Sequence, residues 1–217
     1  MKYLTVKKRA EDRFVEKKSE FIGYVKRVTT EDEAKEFVAE IKNMHKTATH
    51  NCYAYIVGSN MGIQRYSDDG EPQGTAGIPI LEVMKKQELT DCAIVVTRYF
   101  GGILLGTGGL NRAYTKGASV AITAAGIVEK VSGVEIKITI DYDLHGKLQY
   151  LCGQNDWYIE NTDYSDVVVL TIRCEASEKD SIEAKIVENT NGKAEIDVSD
   201  EAIYFKEGNR LFLEIDE

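Results

Sequence analysis

The chain has 217 residues, 43% of them hydrophobic, and carries 27 Lys and Arg against 36 Asp and Glu, a net charge of −9; it is long enough for one large or two modest domains, each with a real core. No apolar run approaches the roughly 20 residues of a membrane-spanning helix, and Met1-Lys2-Tyr3-Leu4-Thr5-Val6-Lys7-Lys8-Arg9 holds no signal-peptide core, so a cytoplasmic protein without membrane association is expected. Cys52, Cys92, Cys152 and Cys174 form no pair with a two-residue gap, which argues for buried free thiols over a disulfide frame.

In chain order, a short opening strand precedes extended chain at 13–25, interrupted by a turn or bulge at 16–20. Thr30-Glu31-Asp32-Glu33 has the spacing of a capping box, hydroxyl and carboxylate three residues apart, and should start a helix. Ala34, Phe37, Val38, Ile41 and Met44 then form one apolar stripe that ends near His45. Residues 52–57 have strand composition and are introduced by Thr49-His50-Asn51. His50 and Cys52 would share one face of that strand, as in a zinc half-site or a thiol–histidine pair. No second pair of ligands follows at a usable spacing, so no metal is expected.

The segment Tyr66-Ser67-Asp68-Asp69-Gly70-Glu71-Pro72-Gln73-Gly74-Thr75-Ala76-Gly77-Ile78-Pro79 holds both prolines of the chain. Asp69-Gly70 is a turn signal; Asp68, Asp69 and Glu71 also put three carboxylates within four residues, a set for magnesium or for an arginine such as Arg98. Turn geometry is the expected role. Pro79 suits the first turn of a helix that continues through Leu81 and Met84 to Lys85-Lys86.

An apolar, β-branched run at 92–97 then delivers Arg98, Tyr99 and Phe100 into a loop with five glycines, Gly101, Gly102, Gly106, Gly108 and Gly109. A helix follows from about residue 108 to 125, with Arg112 in its first turns and Ala113, Gly117, Val120, Ala121 and Ala124 at helical spacing. Gly126 fits its stop, and 128–133 reads as a linker between domains 1–130 and 131–217. In the second half, Val134, Ile136, Ile138 and Ile140 alternate with polar residues as a half-buried strand, and Leu144, Leu148 and Leu151 mark a helix ending at Gly153. Residues 157–160 and 167–174 read as a hairpin around Asn161-Thr162-Asp163; a helix at 177–188 and a last strand from Ala194 complete the order β-α-β-β-α-β. Residues 1–130 carry 19 Lys and Arg against 16 Asp and Glu, a net +3; residues 131–217 carry 8 against 20, a net −12. The acidic half is a poor surface for nonspecific nucleic-acid binding.

The glycine loop is the candidate site, because a helix opening directly after it aims free N–H groups back at the loop. Known phosphate signatures fail letter by letter: Thr107 stands where a Walker lysine belongs, and Asn111 where a dinucleotide motif needs its third glycine. The glycines are either a packing device or an anion or partner site. Of the histidines, His45 should cap or follow a helix, His145 lies on a polar helix face, and only His50 sits in a motif, where a structural hydrogen bond is expected.

Thr49-His50-Asn51-Cys52, Ser67-Asp68-Asp69-Gly70-Glu71-Pro72, Thr75-Ala76-Gly77, Arg98-Tyr99-Phe100-Gly101-Gly102 and Leu105-Gly106-Thr107-Gly108-Gly109-Leu110-Asn111-Arg112-Ala113-Tyr114 occur in this order. Together they resemble the Impact family in its two-domain bacterial form, the YigZ family. The resemblance implies an α+β protein of two domains: an N-terminal α/β sandwich of the ribosomal-protein-five, domain-2-like fold and a C-terminal ferredoxin-like domain similar to those of elongation factor G. Eukaryotic relatives are linked to translational control, which implies a non-catalytic module that binds RNA, the ribosome or a translation factor through the N-terminal domain.

Its expected binding surface comprises Arg98, Tyr99, Phe100, Gly101, Gly102, Gly106, Gly108, Gly109, Arg112, His50, Asp68, Asp69 and Glu71. Arg98 and Arg112 would clamp a phosphate that loop amides cradle. No cofactor is expected. The alternative is a magnesium-dependent enzyme of phosphoryl transfer or hydrolysis, with Asp68, Asp69 and Glu71 holding the metal and His50 as acid or base.

Overall fold

The computed structural model describes residues 2–213, which form two compact units, one of residues 3–128 and the other of residues 129–213 with Lys2. The first unit runs β1 (Lys2–Val6), β2 (Ala10–Glu16), β3 (Ser19–Arg27), α1 (Glu31–Met44), β4 (His50–Val57), β5 (Ile63–Ser67), α2 (Gly77–Lys86), β6 (Cys92–Tyr99) and α3 (Thr107–Ala125). The second runs β7 (Ile127–Ile140), α4 (Tyr142–Gln154), β8 (Ile159–Tyr164), β9 (Val168–Glu175), α5 (Lys179–Thr190), β10 (Glu195–Val198), β11 (Ala202–Glu207) and β12 (Arg210–Phe212). No helix of the described residues is long and apolar enough to cross a membrane.

The apolar run of β6 occupies the centre of an antiparallel sheet ordered β2-β3-β6-β4-β5. Both faces of this sheet are covered, so nearly every residue of β6 is buried, whichever way it points. Ala93 and Val95 face α1, packing with Phe37, Val38 and Ile41; Cys92, Ile94 and Val96 face α2 and α3, packing with Ile80, Met84 and Leu110. That alternation continues into the motif, so Arg98 and Tyr99 leave on opposite faces.

Thr30 caps α1 as its spacing predicts, accepting a hydrogen bond from the Glu33 amide at 3.2 Å. The Glu33 carboxylate reaches the Thr29 amide at 2.6 Å, one residue before the cap. Met44, expected in the stripe, is 55% exposed in the last turn. The turn expected at 16–20 is Lys17-Lys18, both at positive φ.

Close approach sets the position of α3. A Cβ on Gly23 would lie 2.1 Å from the Gly117 carbonyl oxygen, and one on Gly117 would lie 2.7 Å from Val96 Cγ1, so bare backbone meets bare backbone. The buried stripe of α3 is Leu110, Ala113, Tyr114, Gly117, Ala118, Ala121, Ile122 and Ala125. Ala124 is exposed and Val120 only partly buried, which corrects the expected stripe. Gly126 ends the helix at φ 71°.

The second unit is ordered β10-β7-β9-β8, all antiparallel, with α4 and α5 burying Leu148, Cys152, Ile182 and Ile186 in one cluster with Ile136, Ile138, Leu170 and Ile172. This is the ferredoxin-like β-α-β-β-α-β arrangement. Three expectations need correction. Residues 128–133 are not a linker but part of β7, whose run continues unbroken to Ile140. The hairpin turns at Ser165 and Asp166, with Asn161, Thr162 and Asp163 inside β8. Nor is the strand after Ala194 the last: β10 pairs with one end of β7, β11 with the other, and β12 with β11.

Candidate functional site

Strand register assembles the site. Phe21 of β3, Arg98 of β6 and His50 of β4 are cross-strand neighbours on the face that α2 and α3 cover. The loop between β5 and α2 brings Glu71 over them. Arg98 Nη1 donates to Glu71 Oε1 at 2.6 Å, Tyr114 donates its hydroxyl to the same oxygen at 2.7 Å, and Arg98 Nη2 reaches Ser19 Oγ at 3.4 Å. The guanidinium lies 5.4 Å from the Phe21 ring centroid and 5.3 Å from that of Phe100. Arg98 is 5% exposed and Glu71 8%, so this ion pair is removed from water. Arg98 Nε, also buried, has no hydrogen-bond partner among the described residues.

The neighbouring polar groups have fixed roles. The Nδ1 of His50 lies 2.8 Å from the Asp69 carbonyl, which can only accept, so Nδ1 bears a proton and in the neutral ring the lone pair is on Nε2. That Nε2 is 3.9 Å from Glu71 Oε2. Cys52 donates its thiol to the Asp68 carbonyl. Burial, with Cys52 and Glu71 beside it, raises the Tyr114 hydroxyl well above the usual tyrosine range, and burial likewise raises the Cys52 thiol. Both stay protonated donors.

Asp68 and Asp69 do the work of turn and cap. Asp68 Oδ1 accepts from the Ala76 and Gly77 amides at 3.0 and 2.8 Å, and its Oδ2 accepts from Gly74. It thus serves as the cap that Ala76, the residue in the N-cap position of α2, lacks. Asp69 accepts from the Asn51 amide at 2.7 Å and pairs with Lys42 at 2.6 Å. Among the described residues no group of three His, Cys, Asp or Glu side chains is arranged around a metal-sized centre.

A cavity of about 410 Å³ opens beside the ion pair. His50, Glu71 and Arg98 line it on the polar side, Phe100, Leu104, Leu105 and Leu110 on the apolar side, and Gly106 and Thr107 bring the N-terminus of α3 to it. Helix α3 has neither a side-chain cap nor an acidic residue in its first turn. Loop glycines have separate duties. Gly101 lies so close to the Lys18 carbonyl that a Cβ would be 1.9 Å from it, and its amide donates to Ser19 Oγ; Gly102 and Gly106 hold positive φ; Gly108 and Gly109 belong to the first turn of α3.

Two expected members lie elsewhere. Tyr99 points to the α1 face, where its hydroxyl lies 2.8 Å from His45 Nδ1. Arg112 lines a second hollow of about 170 Å³ with Phe14, Glu16, Lys17 and Lys116. The single hollow expected between two open guanidinium groups is therefore not formed: Arg98 is held by Glu71, and Arg112 faces solvent in the adjoining depression. Sequence reasoning missed Ser19, which carries no signal, and Tyr114, whose signal was present: a tyrosine at helical spacing within an otherwise small-residue stripe.

Known proteins resemble this chain along nearly its whole length. A family model for the Impact N-terminal domain matches residues 17–122, and one for a domain of unknown function (DUF1949) matches residues 138–193. The IMPACT family member YvyE of Bacillus subtilis (strain 168) is 43% identical over 212 residues, spanning 98% of this chain and 94% of the relative. The IMPACT family member YigZ of Escherichia coli (strain K12) is 35% identical over 182 residues, spanning 83% and 89%. A solved structure described as "Crystal structure of an hypothetical protein" superposes with a TM-score of 0.58 at 32% identity, covering 90% of this chain and 96% of that one. With the Impact N-terminal domain matched over residues 17–122 and relatives at 43% and 35% identity spanning most of both chains, the chain belongs to the IMPACT family.

Proposed function

We propose that the N-terminal unit is a non-catalytic module that binds RNA of the translation apparatus. One observation carries this reading: Lys17, Arg112 and Lys116 are exposed around the first turns of α3, and none has an ion-pair partner among the described residues. Lys116 Nζ sits 4.3 Å from the Phe14 ring centroid, which places a cation and an aromatic face side by side. A backbone of phosphates is bound by such cations and by helix-opening amides, without base-specific contacts. Arg98 has no place in this surface.

Titration of the full chain with ribosomal RNA and with ribosomes, at several salt concentrations, tests the reading. Binding at low salt that weakens at least tenfold when Lys17, Arg112 and Lys116 are all changed to alanine supports it. No binding at low salt, or a triple variant that binds as well as the parent, overturns it.

A second reading, hydrolysis or phosphoryl transfer, is favoured by the Nε2 lone pair of His50 at the wall of the cavity. Asp68 and Asp69 give no support to its magnesium site, since amides and Lys42 already occupy their oxygens. A thermal shift with nucleotide and magnesium, lost in His50→Ala, would favour this reading over the first.

A further inference from the structure

The cavity beside the ion pair is distinct from the basic rim and carries its own chemistry. Three kinds of group converge on it. Arg98 is buried with two of its nitrogens engaged and Nε unpaired. His50 donates through Nδ1, which makes Nε2 the acceptor of its neutral ring. Helix α3 begins at the cavity wall without a cap. A donor, a proton acceptor and a helix N-terminus together suit an oxyanion that still carries one proton.

We propose that this cavity binds a phosphate monoester. The first amides of α3 face the anionic oxygens beside the Arg98 guanidinium, His50 Nε2 accepts the remaining P–O–H, and the organic group lies against Phe100, Leu104 and Leu105. The proton selects the ligand. A phosphate monoester loses its second proton near pH 6, so part of it still carries that proton around neutrality, whereas a carboxylic acid, with its pKa near 4, does not. The charge balance of the wall agrees. Glu71 Oε1 accepts from Arg98 and Tyr114, while Oε2 lies 3.9 Å from His50 Nε2, and a carboxylate oxygen on that side disfavours a fully ionised dianion there. Asp69 is paired with Lys42 and turned to the Asn51 amide. About 410 Å³ lies within the range of small-molecule sites.

Calorimetric titration of the full chain with phenyl phosphate, with benzoate and sulfate as comparators, tests this. Saturable binding of phenyl phosphate at least tenfold tighter than of either comparator is expected. It should weaken tenfold or more in His50→Ala and vanish in Thr107→Trp, which puts an indole at the cavity mouth from an exposed position. Should Thr107→Trp fail to fold, Leu104→Asp, at a side chain 82% exposed, serves in its place and should also weaken binding tenfold.

Lys116→Ala should bind phenyl phosphate as the parent does, which separates this site from the RNA surface. A trinucleotide with a 5′-phosphate, compared with its 5′-hydroxyl form, distinguishes an RNA end from a free small molecule as the source of the monoester. Tighter binding than phenyl phosphate assigns the site to RNA ends, and weaker binding to small molecules. No saturable binding of any monoester, equal affinity for benzoate, or full binding in Thr107→Trp or, where that variant does not fold, in Leu104→Asp overturns the proposal.

Discussion

Arg98 shows how a residue chosen for one role from its neighbours in sequence takes another in three dimensions. Its guanidinium lies between two rings and on a carboxylate that is itself buried, so removing it leaves Glu71 charged and only Tyr114 bonded to it. Breaking a buried pair from one side costs about 3–5 kcal/mol. Arg98→Ala should therefore lower unfolding stability by about that amount in urea titrations, while Tyr114→Phe, which deletes one hydrogen bond and leaves the pair, should cost about 1–2 kcal/mol. Equal losses in the two variants would show that the pair is not the anchor.

His45 makes a comparable point about pH. Its Nε2 lies 2.6 Å from the Tyr24 hydroxyl and its Nδ1 2.8 Å from that of Tyr99. Burial holds its pKa below the ordinary value, against the upward pull of Glu11 and Glu20. The unfolded chain thus takes up this proton first as pH falls, so the stability that neutral His45 contributes is complete above about pH 6.5 and declines below it. Denaturation midpoints measured from pH 7.5 to 5.5 should fall, and His45→Gln should flatten that part of the slope. An unchanged slope in the variant would assign the fall to other groups.

At the scale of elements, the contact between α3 and the sheet rests on Gly23 and Gly117, and the two should respond differently to alanine. Alanine in a helix is favoured over glycine by about 1 kcal/mol, whereas overpacking costs about 1–3 kcal/mol. At Gly117 the obstacle is the end of the Val96 side chain, which can yield in part; at Gly23 it is the carbonyl of Gly117 itself, 2.1 Å from the added carbon. Gly23→Ala should accordingly be the more destabilising by thermal denaturation. Val96→Ala should recover part of the loss in Gly117→Ala and none of that in Gly23→Ala. Gly146 in α4 is the control: nothing lies within 4 Å of its added Cβ, so alanine there should stabilise by up to about 1 kcal/mol. A Gly23→Ala chain as stable as Gly146→Ala would mean that α3 does not lie this close to the sheet.

For the molecule as a whole, periodicity made the elements legible because each buries a regular face: the capping box, the alternation of β7 and the β-α-β-β-α-β order could all be read from single residues. Its failures came where tertiary pairing decides. Residues 128–133 have no turn chemistry strong enough to resist being drawn into β7, and β11 and β12 owe their place to pairing with it and with each other. The candidate site was legible as a set of residues but not as a geometry, since the pleat that sends Arg98 and Tyr99 to opposite faces, and the loop that lays Glu71 on Arg98, appear only once the strands are paired.

Charge distribution adds a consequence that neither element nor residue carries alone. With −12 on residues 131–217 and +3 on residues 1–130, an RNA chain should be held by the N-terminal unit only. Single-stranded RNA loses about 0.7 in the logarithm of its binding constant per logarithm of salt for each phosphate neutralised. Three rim cations therefore predict a slope of about −2. Crosslinks from a bound RNA should fall on residues around Lys17, Arg112 and Lys116, and the triple alanine variant should flatten the slope toward zero. A slope of about −5 or steeper, or crosslinks concentrated beyond residue 130, would place the contact on a surface other than the first turns of α3.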